Sequence, residues 1–177
     1  MAYLSEENFI IWRGKLIFMI IDKHFTVSVY VVHKDKVLLH QHKKTGRILP
    51  VGGHVDIGES QDETALRETR EESGLEVELF NKKRLNNFKL SHLKEIITPM
   101  HTLLVEITPT HHHIDFEYYA YATTFELSPR NGESQKLMWL SEEEIKNNLS
   151  IPEDVRMYAL EALELLGKRD KFIRDFN

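Results

Sequence analysis

The feature that most constrains this chain is the segment from Gly53 to Leu75, GHVDIGESQDETALRETREESGL. It follows Gly52 and closes on Gly74 and Leu75. Ser60 and Glu63 have the spacing of a capping box, in which the hydroxyl accepts from the third helical N–H and the carboxylate reaches back to the cap. The spacing predicts a helix over 60–73. Ala65, Leu66 and Thr69 form its inner stripe, and Gly74 ends it because glycine tolerates positive φ. Glu68, Glu71 and Glu72 then stand at i, i+3 and i+4 on one face, with Cβ atoms roughly 5–6 Å apart. Like charges so placed repel, at a cost of roughly a few tenths of a kcal/mol per i,i+4 pair.

Two readings fit that face. The plain one is an acidic surface turned to water. The other is a hard divalent cation, since Mg²⁺ favours carboxylate oxygens and water in octahedral geometry. Oxygen-rich ligation in a chain without cysteine points to Mg²⁺ or Mn²⁺ rather than Zn²⁺. Gly52 and Gly53 let backbone carbonyls approach a ligand or metal closely. Arg67 can pair with Glu59 and pin the loop to the helix, and Arg70 offers another partner.

Composition narrows the classes further. The chain has 177 residues, a length that suits one domain with a single core. Its formal net charge is −5 and it has no basic block, so a nucleic-acid polymer is not an expected partner. An acidic protein that handles phosphates needs a cation or a local basic patch to offset repulsion. There is no cysteine, which removes disulfides, zinc-thiolate sites and a thiol nucleophile. That absence fits a reducing compartment, and a cytoplasmic location is expected. The apolar stretch Leu16 to Ile21 is far too short to span a bilayer, and no secretory signal or lipidation motif is visible, so no membrane partner is expected.

Along the chain, Ser5 to Glu7 followed by Phe9, Ile10 and Trp12 reads as a short capped helix. Phe25 to Val32 is β-branched and alternating, and it pairs with Val37 to His40 across a Lys34-Asp35-Lys36 turn. Leu75 to Phe80 reads as a strand. Glu95 to Ile107 and Ile114 to Glu126 read as long β-rich runs joined by a polar turn over Thr108 to His113. A last strand over 137–140, a capped helix over 141–148 and a helix over 153–166 complete the chain. The expected architecture is one α/β domain over 1–177.

The Gly53–Leu75 segment resembles the Nudix box, G-x5-E-x7-R-E-U-x-E-E-x-G-U, where U is a bulky apolar residue. Gly53, Glu59, Arg67, Glu68, Glu71, Glu72, Gly74 and Leu75 fall on its positions. Thr69 departs from it, standing where an apolar residue is usual, and its methyl can still pack. The likeness covers about residues 25–150. It implies the Nudix fold, a mixed β-sheet between helices, and hydrolysis of a diphosphate bond in a small phosphorylated substrate, with a nucleotide the first choice. By resemblance, Glu71 and Glu72 are metal ligands, and Glu68 is a ligand or orients the attacking water. The Gly52 carbonyl is a further ligand candidate, while Gly53, Glu59, Arg67 and Gly74 look structural. The general base is a box glutamate or a later one, for which Glu133 in the Asn131-Gly132-Glu133 turn is the candidate. A homodimer is compatible with the resemblance.

Other residues carry two readings each. His40, His42, Lys43, Lys44 and Arg47 form a cationic stretch, in which Arg47 or Lys44 either binds phosphate or faces solvent. His54 follows the glycines at the site edge. His111 to His113 are a polar turn, although one of His113 or Asp115 could point into a substrate cleft. Tyr118, Tyr119 and Tyr121 read as sheet packing. Secondary signatures typical of ADP-ribose, dinucleoside polyphosphate and NADH hydrolases are absent, so the substrate stays open. A ligand sensor without turnover is the alternative, which the intact acidic trio disfavours. An isomerase of the isopentenyl diphosphate type would need a cysteine.

Overall fold

Alternation in one long β-branched strand builds a core on both sides of a sheet. The computed structural model describes residues 9–12, 15–18, 21–81 and 92–167. The strand is β3, Asp22–His33. Its Val27, Val29 and Val31 pack toward Ala65 and Leu75, while Tyr30 and Val32 pack on the opposite face toward Ile145, Val155 and Ala159. The helices named next thus cover both faces, α1 (Gln61–Ser73) on one and α2 (Glu142–Asn147) with α3 (Glu153–Leu166) on the other.

The remaining strands are β1 (Phe9–Trp12), β2 (Lys15–Phe18), β4 (Lys36–Gln41), β5 (Ile48–Leu49), β6 (Val51–His54), β7 (Val77–Leu79), β8 (His101–Thr108), β9 (His111–Ala122) and β10 (Leu137–Ser141). The main sheet runs β10-β4-β3-β9-β7, with β5 on β4, β6 on β3 and β8 on β9. β3 and β9 pair in parallel from Asp22↔His111 to Val32↔Tyr121, and the other pairs are antiparallel. The expected mixed sheet between helices is what the chain forms.

Several boundaries differ from the sequence expectation. Phe9–Trp12 is a strand that pairs with Lys15–Phe18, not the end of a helix. Ser5 to Glu7 lie outside the described residues. The Glu95 to Ile107 run becomes strand only at His101. Its first part is tied to the start of α1 instead, by Ile97 N–H donating to Asp62 at 3.2 Å, and Lys94 just before the run donates to Glu63 at 3.0 Å. The turn between β8 and β9 is only Pro109-Thr110, so His111 to His113 are in the strand. Polar composition suggested a turn there, but the parallel pairing with β3 overrides it.

The helix α1 starts after Ser60, whose N–H donates to the Glu63 carboxylate at 3.1 Å, and stops at Gly74, which is left-handed at φ 77°. Its inner face is not the one expected at Leu66, which is 36% exposed. Ala65 and Thr69 are buried as expected, joined by Glu72 and Ser73, with the Thr69 and Ser73 hydroxyls donating back to carbonyls one turn earlier. That explains how Thr69 occupies an apolar position: its hydroxyl is satisfied within the helix. Tyr118 and Tyr119 are fully buried, as sheet packing requires.

Candidate active site

The site is built where the start of β6 meets the last two turns of α1. At Gly53, an added Cβ would lie 2.3 Å from Glu68 Oε1, so only glycine lets that carboxylate rest on the strand. At Gly52, it would lie 2.1 Å from the Val27 carbonyl oxygen, which is backbone and cannot move aside. The Gly52 N–H donates to Glu72 Oε2 at 2.8 Å. The glycines thus press two carboxylates of the helix against the sheet, a closer role than carbonyl approach alone.

Two substitutions separate these roles. Gly52→Ala should cost about 3 kcal/mol, because the clash is with backbone. Gly53→Ala should cost under about 1 kcal/mol but displace Glu68 and lower turnover roughly 100-fold. Thermal melts and activity measured on both variants check this. Equal losses of stability would overturn the distinction.

Arg67 is the hub of the loop. Its Nε donates to Glu59 Oε1 at 2.8 Å and its Nη2 to Glu59 Oε2 at 3.0 Å and to the His54 carbonyl at 3.2 Å. Its Nη1 donates to Glu68 at 2.8 Å and reaches Glu71 at 3.5 Å. The pairing with Glu59 is the one the spacing suggested, and it holds the Glu59 carboxyl below its ordinary range. Arg70 turns away from this hub and pairs with Glu76.

The electrostatics are those of crowded, half-dry carboxylates. Burial pushes Glu72 up to about 8, and Glu68, Glu133 and Glu71 push in the same direction against the Gly52 hydrogen bond. Burial also raises Glu68, although Arg67 opposes it. Without a cation, this group cannot hold all its negative charge at neutral pH. His40 Nδ1 lies 3.8 Å from Glu72, but burial pushes that imidazole down to about 4, so it is neutral and no ion pair forms. His40 therefore leaves the cationic stretch in which the sequence placed it.

A NUDIX domain model matches residues 22–161. A crystal structure of a NUDIX-family hydrolase from Clostridium perfringens is similar at 48% identity and TM-score 0.75, over 82% of this chain and 99% of that one. The chain belongs to the NUDIX hydrolase family. A MutT protein from Methanosarcina mazei (TM-score 0.57, 18% identity, 85% of this chain and 97% of that one) shares the fold. So does an ADP-ribose pyrophosphatase from Streptococcus suis (TM-score 0.52, 18% identity, 80% and 90%).

Within this NUDIX hydrolase, the structure gathers Gly52, Gly53, Glu59, Arg67, Glu68, Glu71 and Glu72 at one end of α1, near Glu133, whose charge acts on Glu68 and Glu72. Lys44 and Arg47 sit exposed in the turn between β4 and β5. Lys43, in the same turn, donates to the Gly132 carbonyl and so ties it to the Glu133 turn. His54 and His113 lie together on a different patch, with ring centroids 5.1 Å apart.

Sequence reading missed Arg130. Its Nη1 donates to Glu71 Oε1 at 2.6 Å and its N–H to the Glu71 carbonyl at 2.8 Å. The only signal for it was a lone cation beside the Asn131-Gly132 turn. Glu68 and Glu71 thus meet guanidinium groups. Among the described residues, the trio of His and acidic side chains whose ligand atoms all lie within 4.8 Å of one another is elsewhere, at Asp22, His24 and His111.

Proposed function

We propose that this chain hydrolyses a phosphoanhydride bond in a small diphosphate-containing molecule, with a nucleotide as the first substrate class. The observation that carries the reading is Glu72, a carboxyl so buried among other carboxyls that it is pushed up to about 8. Such a group costs stability unless a cation joins it. The residues fit a hard divalent ion, Mg²⁺ or Mn²⁺: Glu68, Glu71 and Glu72 supply anionic oxygens and the Gly52 carbonyl a neutral one. When bound, the ion screens the diphosphate and makes water a better nucleophile.

The protein's own groups do the rest. Arg67 and Glu59 hold the loop against the helix. Glu133 accepts the proton of the attacking water, with Glu68 the other base in reach of that role. Arg130, whose side chain is 68% exposed, holds Glu71 through Nη1 and turns other N–H groups to solvent, where a phosphate oxygen can accept from them. Lys44 and Arg47 extend that positive edge, whereas His54 and His113 lie on the separate histidine patch. The intact Glu68, Glu71 and Glu72 disfavour the ligand-sensor reading.

Release of phosphate and pyrophosphate tests the reading, with Mg²⁺ or Mn²⁺ and a panel of nucleoside triphosphates, ADP-ribose, nucleotide sugars, dinucleoside polyphosphates, NADH and coenzyme A. Turnover of one class, abolished by chelation, is expected. Tight ligand binding with no turnover of any compound would replace the enzyme with a sensor.

A further inference from the structure

The parallel register of β3 and β9 places Asp22 beside His111 and His24 beside His113, and β6 brings His54 opposite Thr26. These side chains meet on one face. His24 Nε2 lies 2.7 Å from Asp22 Oδ2, and His111 Nδ1 lies 3.6 Å from the same oxygen. Ring centroids are 4.7 Å apart for His24 and His111 and 5.4 Å apart for His24 and His54. Four imidazoles and a carboxylate converge at the end of the sheet, with no role in the acidic helix.

We propose that Asp22, His24 and His111 form a second metal site, for a borderline divalent transition ion of the Zn²⁺ class. Two imidazole nitrogens and one carboxylate oxygen are a ligand set for such an ion, with a fourth position open to water. Ligand bonds of about 2.0–2.1 Å in tetrahedral geometry put neighbouring donor atoms roughly 3.3 Å apart. The 2.7 and 3.6 Å separations here bracket that spacing, and all three donors lie within 4.8 Å.

The next shell of contacts agrees. A metal-bound histidine needs its other ring nitrogen held, to fix tautomer and orientation. His111 Nε2 is 3.0 Å from His113 Nε2, so it can donate there while Nδ1 keeps its lone pair for the ion. Imidazole donors select this ion class over Mg²⁺, which the oxygen-only set on α1 suits better.

Equilibrium dialysis of the full chain with Zn²⁺ in a large excess of Mg²⁺ tests the site, with the visible absorption of Co²⁺ as a second readout. Wild type and Glu72→Gln should each retain the ion. Affinity should fall at least about tenfold in His24→Ala, His111→Ala and Asp22→Asn. His24→Gln, which keeps size and polarity, repeats the test if the alanine variants lose their circular dichroism signal. The proposal is overturned if wild type retains no Zn²⁺. It is equally overturned if retention survives the histidine substitutions, or if it disappears with Glu72→Gln.

Discussion

Glu72→Gln should lower metal-dependent turnover by roughly 100- to 1000-fold while the protein stays folded. The amide keeps an oxygen that can accept from the Gly52 N–H, so the contact between α1 and β6 survives. What it loses is the anion. Glu72 is 8% exposed, so the amide leaves a largely buried position without its anionic oxygen. Binding of Mn²⁺, followed by its electron paramagnetic resonance signal, should weaken in parallel. The partner variant Arg130→Ala should act differently: Glu71 loses a guanidinium but keeps its charge, so metal affinity holds and KM rises. Near-normal turnover by Glu72→Gln would sink the assignment of the acidic helix as the metal-binding element.

The second large effect concerns stability rather than rate. Glu117 is 4% exposed, its Oε2 has no hydrogen-bond partner among the described residues, and burial with the nearby Asp115 and Asp154 pushes it up to about 9. Its folded value is thus above its unfolded one. The stabilisation from holding that proton is fully present below the ordinary value of 4.5 and is lost as pH rises toward 9. Chelated wild type should therefore lose on the order of a few kcal/mol across that window. Glu117→Gln, which carries no proton to lose, should flatten the profile and be the more stable protein at the alkaline end. Glu72, also raised, adds to the same slope until a cation takes its charge. Urea denaturation of both proteins in chelator across the window decides it, and parallel profiles would refute the role given to Glu117.

Local signals were legible in the sequence, and long-range ones were not. The capping box at Ser60 and Glu63, the stop at Gly74 and the β3–β4 hairpin depend on residues a few positions apart, and they form where the spacing put them. The Arg67–Glu59 pair falls in the same class. The helix expectation failed over Phe9–Trp12 because an acidic cap signal says nothing about what the following apolar residues pair with. His111 to His113 failed for a related reason. Three polar residues have no strand periodicity of their own, and only the neighbouring β3 makes them a strand. Likewise, the charge of His40 depends on burial and the position of Arg130 on a distant turn, neither of which a local pattern encodes.

The parallel seam between β3 and β9 sets the order in which this molecule can assemble. The Thr26 hydroxyl and the Asp115 carboxylate that meet across it are separated by 89 positions. Closing a loop of that length costs roughly 4 kcal/mol in chain entropy before any contact is made. The contacts within the acidic helix are local, but its packing on Val27 and Val29 of β3 consolidates only after the sheet floor forms, when the chain's distant segments meet. In a cysteine-free chain no covalent staple can offset that cost. High contact order therefore makes folding slow, and substitutions in the seam should retard refolding more than those in α1. Stopped-flow refolding of Val29→Ala beside Ala65→Gly would show the reverse order if the helix, rather than the seam, were the nucleus.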